Sequence, residues 1–144
     1  SGSAKTVLVT SNGVANIRSS SASYTGANQS DQPDAASTAT GTGSTETGTV
    51  TVIATGSWLF MLASNDAETP TAGAGTTKRG NTGGGAGYGI FDSNGAPGTG
   101  SQSLVATAGD GSTAWEIAIA SFDPAAAAAA GGGARNFTLM GAGS

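Results

Sequence analysis

The sequence has no cysteine and no histidine. These absences exclude a disulfide framework, Cys- or His-ligated metal centres, and catalysis built on an imidazole or a thiol. Basic residues are scarce, five Lys and Arg against nine Asp and Glu, for a formal charge of −4. Without a basic footprint, a nucleic-acid partner is not expected. Charged residues make up only 10% of the 144 positions and aromatic residues 6%. No segment reaches the ~18 consecutive apolar residues of a membrane span. No charged-then-apolar leader is visible and the chain opens on Ser1, which leads us to expect a processed or excised chain.

What is present is a small-residue chain. Gly, Ala, Ser and Thr account for more than half of it, with 25 Gly alone. Small side chains each bury little area, and ordering Gly costs more backbone entropy than ordering any other residue. A lone subunit is therefore expected to be marginal, and neighbouring subunits would remedy that. Low charge and abundant Gly, Ser and Thr also resemble a linker. Several apolar runs rich in β-type residues argue against that reading.

Residues 5–10 (KTVLVT) read as a strand, Asn12-Gly13 as a hairpin turn, and residues 14–24 (VANIRSSSASY) as the return strand. Residues 25–48 read as a long polar surface loop. Residues 49–54 (TVTVIA) alternate as a strand does, Gly56 permits a turn, and residues 57–63 (SWLFMLA) read as a strand buried on both faces. Residues 76–79 suggest a short edge strand and 81–87 (NTGGGAG) a flexible connection. Residues 88–92 (YGIFD), 101–107 (SQSLVAT) and 114–122 (AWEIAIASF) are further strands, separated by turns at Ser93-Asn94-Gly95 and Gly109-Asp110-Gly111. Six alanines from Ala125, three glycines and RNFTLM (135–140) follow. Six residues cannot hold an isolated helix, so this stretch reads as a tether ending in a β-prone segment.

The expected architecture is all-β, an antiparallel β-sandwich or jelly-roll-like fold of seven to nine short strands. Residues 1–124 form the sandwich domain, and residues 125–144 the Ala/Gly tether with its terminal strand.

ASYTGANQSDQPDAASTATG (22–41), SWLFMLASNDAETPTAGAGTTKRG (57–80), GIFDSNGAPGTGSQSLVATA (89–108) and AWEIAIASFDPA (114–125) together resemble a set of uncharacterised Gly/Ala/Thr-rich β-sandwich surface, secreted or virion proteins of bacteria and phages. The resemblance covers roughly residues 5 to 125 and consists of structural motifs, with no catalytic signature to carry over. It implies a sandwich displayed on a cell or virion surface. Members of such sets usually have further strands before the segment similar to KTVLVTSNGVANIRSSSASYTG. Their absence here implies that another segment supplies a strand, with RNFTLM as the candidate.

The candidate chemistry is thin. Asp66 with Glu68, and Asp31 with Asp34, are spaced like turn-forming loop acids rather than carboxylates held across a cleft. No acid lies in a setting that suggests a raised pKa. Asp92-Ser93-Asn94-Gly95 matches only the start of a calcium loop, without its terminal bidentate Glu; Asp92 and Asp110 are the loop acids that would converge on an ion. Residues 83–87 (GGGAG) lack the Lys-Ser/Thr of a phosphate loop. Lys5 and Lys78 sit in no Ser-Lys motif, and nothing in the spacing selects an isopeptide partner for either. No catalytic, cofactor-binding or metal residue is assigned, and no cofactor is expected. Asn28 and Asn136 head glycosylation sequons, and the Ser/Thr-rich residues 37–49 suit O-linked sugar. Trp58 and Trp115 read as core aromatics, and Tyr88, between two glycines, as the exposed one.

Taken together, these readings predict a non-enzymatic structural subunit of an extracellular, cell-surface or virion assembly. It would form a homopolymer by adding a strand to a neighbour's sheet edge. The donated strand is Asn136, Phe137, Thr138, Leu139 and Met140, with Phe137 and Leu139 filling pockets; residues 5–10 are one acceptor edge. The alternative is a carbohydrate-binding or lectin-like module with glycans as partners, reading sugar through Tyr88.

Overall fold

The structure is a computed structural model, and it describes residues 8, 22–28, 30–82, 87–109 and 111–126. Among them are eight strands and no helix: β1 (Ala35–Thr42), β2 (Thr45–Val52), β3 (Trp58–Asn65), β4 (Thr71–Ala72), β5 (Thr77–Thr82), β6 (Gly87–Asp92), β7 (Gly100–Thr107) and β8 (Ala114–Phe122). They form a five-stranded sheet of order β1-β8-β3-β6-β5 and a three-stranded sheet of order β2-β7-β4. All pairs are antiparallel. Apart from the β5-β6 hairpin, which stays in the larger sheet, the chain alternates between the two sheets as it runs, which winds the sandwich as a jelly roll is wound. The all-β sandwich expected from the sequence is the fold observed.

Period-two alternation builds the core. Strand β3 turns Leu59, Met61 and Ala63 inward, β8 adds Ile117 and Ile119, and β6 adds Phe91; β2 and β7 face them with Val50, Val52, Leu104 and Ala106. Each large aliphatic or aromatic side chain fully buried here contributes about 1.5–3 kcal/mol. Glycine makes room for this core where the sheets approach. A Cβ at Gly48 would lie 2.8 Å from Ile117 Cγ2 and 3.1 Å from Met61 Sδ. One at Gly41 would overlap the Trp115 indole. The small-residue composition is thus partly a packing device: strands that look featureless sit under large side chains of neighbouring strands.

This corrects the reading of residues 25–48 as a loop. Those residues carry all of β1 and the first half of β2, joined at Gly43 and Ser44. β1 has no apolar alternation because only Ala35 and Ala39 rest against the core. The residues 5–10 strand, apart from Leu8, and residues 14–21 of the return strand lie outside the described residues, as do 83–86 and everything from Ala127 onward. Residues 22–24 are not in a strand. The edge strand read at 76–79 is present as β5, at the rim of the larger sheet.

The four outer edges are unequal. β5 carries Lys78 and Arg79 and a bulge between Lys78 and Gly80, and β4 is only two residues long. Charges, bulges and shortness are devices that discourage edge-to-edge pairing. On the opposite side, β1 (AASTATGT) and β2 (TETGTVTV) are eight residues each, with neither proline nor bulge. β1 has no charged residue, and the one charge on β2, Glu46, is buried.

Candidate functional site

The site is built on the outer face of the five-stranded sheet, where β3 begins and β8 ends. Gly56, at φ 91°, lets the chain turn from β2 into β3. Ser57 fixes that turn, its single hydroxyl proton shared between Ala54 O at 2.7 Å and Asp123 Oδ1 at 2.8 Å. Trp58 and Phe122 are then paired across β3 and β8, and Phe60 lies opposite Ala120 on one side and Asp92 on the other. Residues 22–28 run alongside. Asn28 N donates to Asp123 O at 2.8 Å, Ala125 N donates to Gly26 O at 2.6 Å, and Ala27 bridges Pro124.

Tyr24 arches over this face. Its ring lies 5.9 Å from Trp58, tilted at 48°, and 6.4 Å from Phe60 in an edge-on arrangement. Its hydroxyl donates to Asp92 Oδ2 at 3.1 Å. The same oxygen accepts Arg79 Nε at 2.6 Å, while Asp92 Oδ1 accepts Asn94 N at 2.9 Å. The bulge in β5 is what lets Arg79 reach Asp92, and its Nη2 continues to Asn94 Oδ1 at 2.8 Å. Asp92 is fully buried and its carboxylate is engaged throughout, so it serves as a clasp holding Tyr24 and Arg79 in place. Burial, reinforced by Asp92, pushes the Tyr24 phenol up to about 12. The hydrogen bond to Asp92 holds the Arg79 guanidinium above its usual value.

Between Tyr24, Trp58, Phe60 and Phe122 opens a cleft of about 440 Å³, with Arg79, Asp92 and Asp123 also lining it. Among the described residues, three polar groups of these lining side chains make no hydrogen bond: Arg79 Nη1, Asp123 Oδ2 and the Trp58 indole N–H. The cleft therefore combines an aromatic wall with a small number of polar groups at its margin.

The structure redistributes the aromatic residues. Tyr88, expected to be exposed, is 5% exposed on β6, a strand buried on both faces. Trp58, expected in the core, is 36% exposed and forms the cleft wall. Trp115 packs against the core edge as expected. SWLFMLA is buried on one face only, and Leu62 on the other is 39% exposed. The signal that would have found the cleft is the alternation itself: Trp58, Phe60 and Leu62 share a parity opposite to Leu59, Met61 and Ala63.

Of the other candidates, Asp92 accepts from Arg79, Tyr24 and Asn94, and Asp110 lies outside the described residues. Lys78 Nζ donates to Pro70 O at 2.6 Å, and burial holds its pKa below the usual lysine value. Asn28 is half-buried and its Oδ1 accepts Ser30 N at 3.1 Å. Asn136, Phe137, Thr138, Leu139 and Met140 lie outside the described residues. Glu46 corrects the expectation that no acid has a raised pKa. It is fully buried, Asn65 Nδ2 donates to its Oε1 at 3.0 Å, and its Oε2 has no partner among the described residues. Burial pushes its carboxyl up; the Asn65 bond pulls it down, and nearby Glu68 adds to the rise.

Compared with protein-family models, with curated proteins and with solved structures, the chain matches none.

Proposed function

We propose that the chain is a non-enzymatic structural subunit of an extracellular, cell-surface or virion assembly, and that it polymerises by strand addition. The observation that carries this is the asymmetry of the sandwich edges. One side has a charged, bulged strand and a two-residue strand; the other has two uninterrupted eight-residue strands with no solvent-facing charge. An edge without protection is a template for main-chain hydrogen bonds from another chain. β1 is the acceptor, because its exposed side chains are Ala, Ser and Thr and none clashes with or repels an incoming strand. The donor is Asn136–Met140 of a second copy. Head-to-tail donation does not close on itself and so yields an open fibre.

The test pairs two changes in the full chain. Thr38→Lys with Thr40→Lys places two charges on β1, where exposed substitutions leave fold stability within about 0.5 kcal/mol. Removal of residues 134–144 deletes the donor. Both are expected to leave monomers under negative-stain microscopy and light scattering. Fibres that persist in the truncated chain would overturn strand donation, and fibres that persist only in the lysine variant would overturn β1 as acceptor.

A further inference from the structure

We propose that the cleft beneath Tyr24 is a binding site for a neutral pyranose sugar. This goes beyond the assembly reading and does not depend on it, since the cleft lies on a sheet face and not on the open β1 edge.

Three observations carry the inference. The first is shape: about 440 Å³ falls inside the ~300–1,000 Å³ range of ligand pockets, and the cleft sits on two paired strands rather than on loops alone. The second is its walls. A pyranose has one face of C–H bonds and a rim of hydroxyls, so it needs an aromatic surface with hydrogen-bonding groups at the margin. Trp58 supplies the surface, partly open to solvent, with Tyr24 and Phe122 flanking it. Aromatic surface of this kind stays exposed at a cost unless something covers it, and Trp and Tyr combine an apolar body with a polar tip. The third is charge. Arg79 is balanced by Asp92 at 2.6 Å, which leaves Asp123, among the described residues, as the uncompensated charge of the cleft. An acidic sugar would meet that carboxylate and be repelled, whereas a neutral one can donate hydroxyls to Asp123 Oδ2 and accept from the Arg79 guanidinium.

The clasp gives the site its rigidity. Asp92 is buried and joined at once to Tyr24, Arg79 and Asn94, so the lid residue and the guanidinium are positioned before a ligand arrives. Preorganisation of this kind lowers the ordering cost of binding.

The experiment titrates the full chain with the methyl glycosides of glucose, galactose, mannose and N-acetylglucosamine, and with methyl glucuronide. It reads tryptophan fluorescence and saturation-transfer NMR. We expect saturable binding of at least one neutral glycoside in the millimolar range or tighter, and binding at least tenfold weaker for the glucuronide. Trp58→Ala should abolish the response, Trp58→Phe should retain part of it, and Leu62→Ala, on the same face outside the cleft, should leave it unchanged. Circular dichroism on each variant separates lost binding from lost fold; if Trp58→Ala does not fold, Trp58→Phe decides. No saturable response to any neutral glycoside overturns the proposal. So does binding undiminished by loss of the indole, or a fluorescence change that tracks protein concentration, which would make a second copy the occupant.

Discussion

Replacing Glu46 with Gln should stabilise the protein near neutral pH, although it removes the charge from a hydrogen-bonded side chain. Glu46 is on β2 with no exposed surface; among the described residues Oε1 accepts one bond, from Asn65 at 3.0 Å, and Oε2 accepts none. Leaving a buried polar group unsatisfied costs about 1–3 kcal/mol, more when it is charged. Gln keeps the acceptor for Asn65 and puts a neutral amide nitrogen where the charged oxygen stood; its N–H donors stay unsatisfied, so what is removed is the additional cost of burying a charge. The bond to Asn65 weakens on losing its charge, by about 1 kcal/mol. The net gain is then on the order of 1 kcal/mol at pH 7, or a rise of a few degrees in Tm for a domain of this size. The sign with pH is fixed by linkage. A carboxyl whose folded pKa is raised holds its proton longer in the native state than in the unfolded chain. Its stabilising protonated form is fully present below the unfolded value near 4.5 and is lost as pH rises through the folded value. The advantage of Gln over Glu should therefore be small at pH 4 and grow towards pH 7. Urea unfolding of both proteins across that interval measures it. Glu46→Ala is the control: it strands Asn65 Nδ2 and should destabilise at every pH by about 1–3 kcal/mol. Gln destabilising as much as Ala, with no dependence on pH, would refute the reasoning.

Further predictions concern packing and the clasp. Gly48→Ala, which drives a methyl towards Ile117 and Met61, should destabilise by about 1–3 kcal/mol in chemical denaturation. A Tyr24 phenol raised from 10 to about 12 contributes stability that is fully present below pH 10 and is lost as pH rises through about 12. The difference in unfolding midpoint between wild type and Tyr24→Phe should shrink across that window, with the tyrosinate absorbance of wild type rising over the same interval. Asp92→Ala, which releases Tyr24 and Arg79 together, should lower stability by about 2 kcal/mol or more, against under 1 kcal/mol for Asn94→Ala at the exposed end of the same network.

The larger strands were legible because each carries enough apolar residues to show its period. The 114–122 segment alternates Trp115, Ile117 and Ile119 with smaller or charged residues, and it is β8 to the residue. β1 was illegible for a physical reason. Its inward positions are Ala35, Ala39 and Gly41, the last lying beneath the Trp115 indole, so the large side chains that mark it as a strand belong to its neighbour. Half of β2 was hidden likewise, by Gly48 and by a buried Glu46 that reads as a loop acid. The cleft fell between two readings. Trp58 reads as core because its sequence neighbours are apolar, but Leu59 and its like-facing neighbours point the other way. Tyr24 joins Asp92 and Arg79 across 68 and 55 positions of sequence, a distance no local pattern spans. Tyr88 was misplaced because flanking glycines suggest exposure; here they sit in a strand covered on both faces.

The proposed strand addition at β1, an edge of the larger sheet among the described residues, is tested most directly by the assembly state of the full chain. Negative-stain microscopy with light scattering on the same sample should show elongated polymers of the 13.6 kDa subunit. Those polymers should disperse when Thr38→Lys and Thr40→Lys are introduced. A uniform 13.6 kDa monomer at every protein concentration would contradict the proposed strand addition at β1.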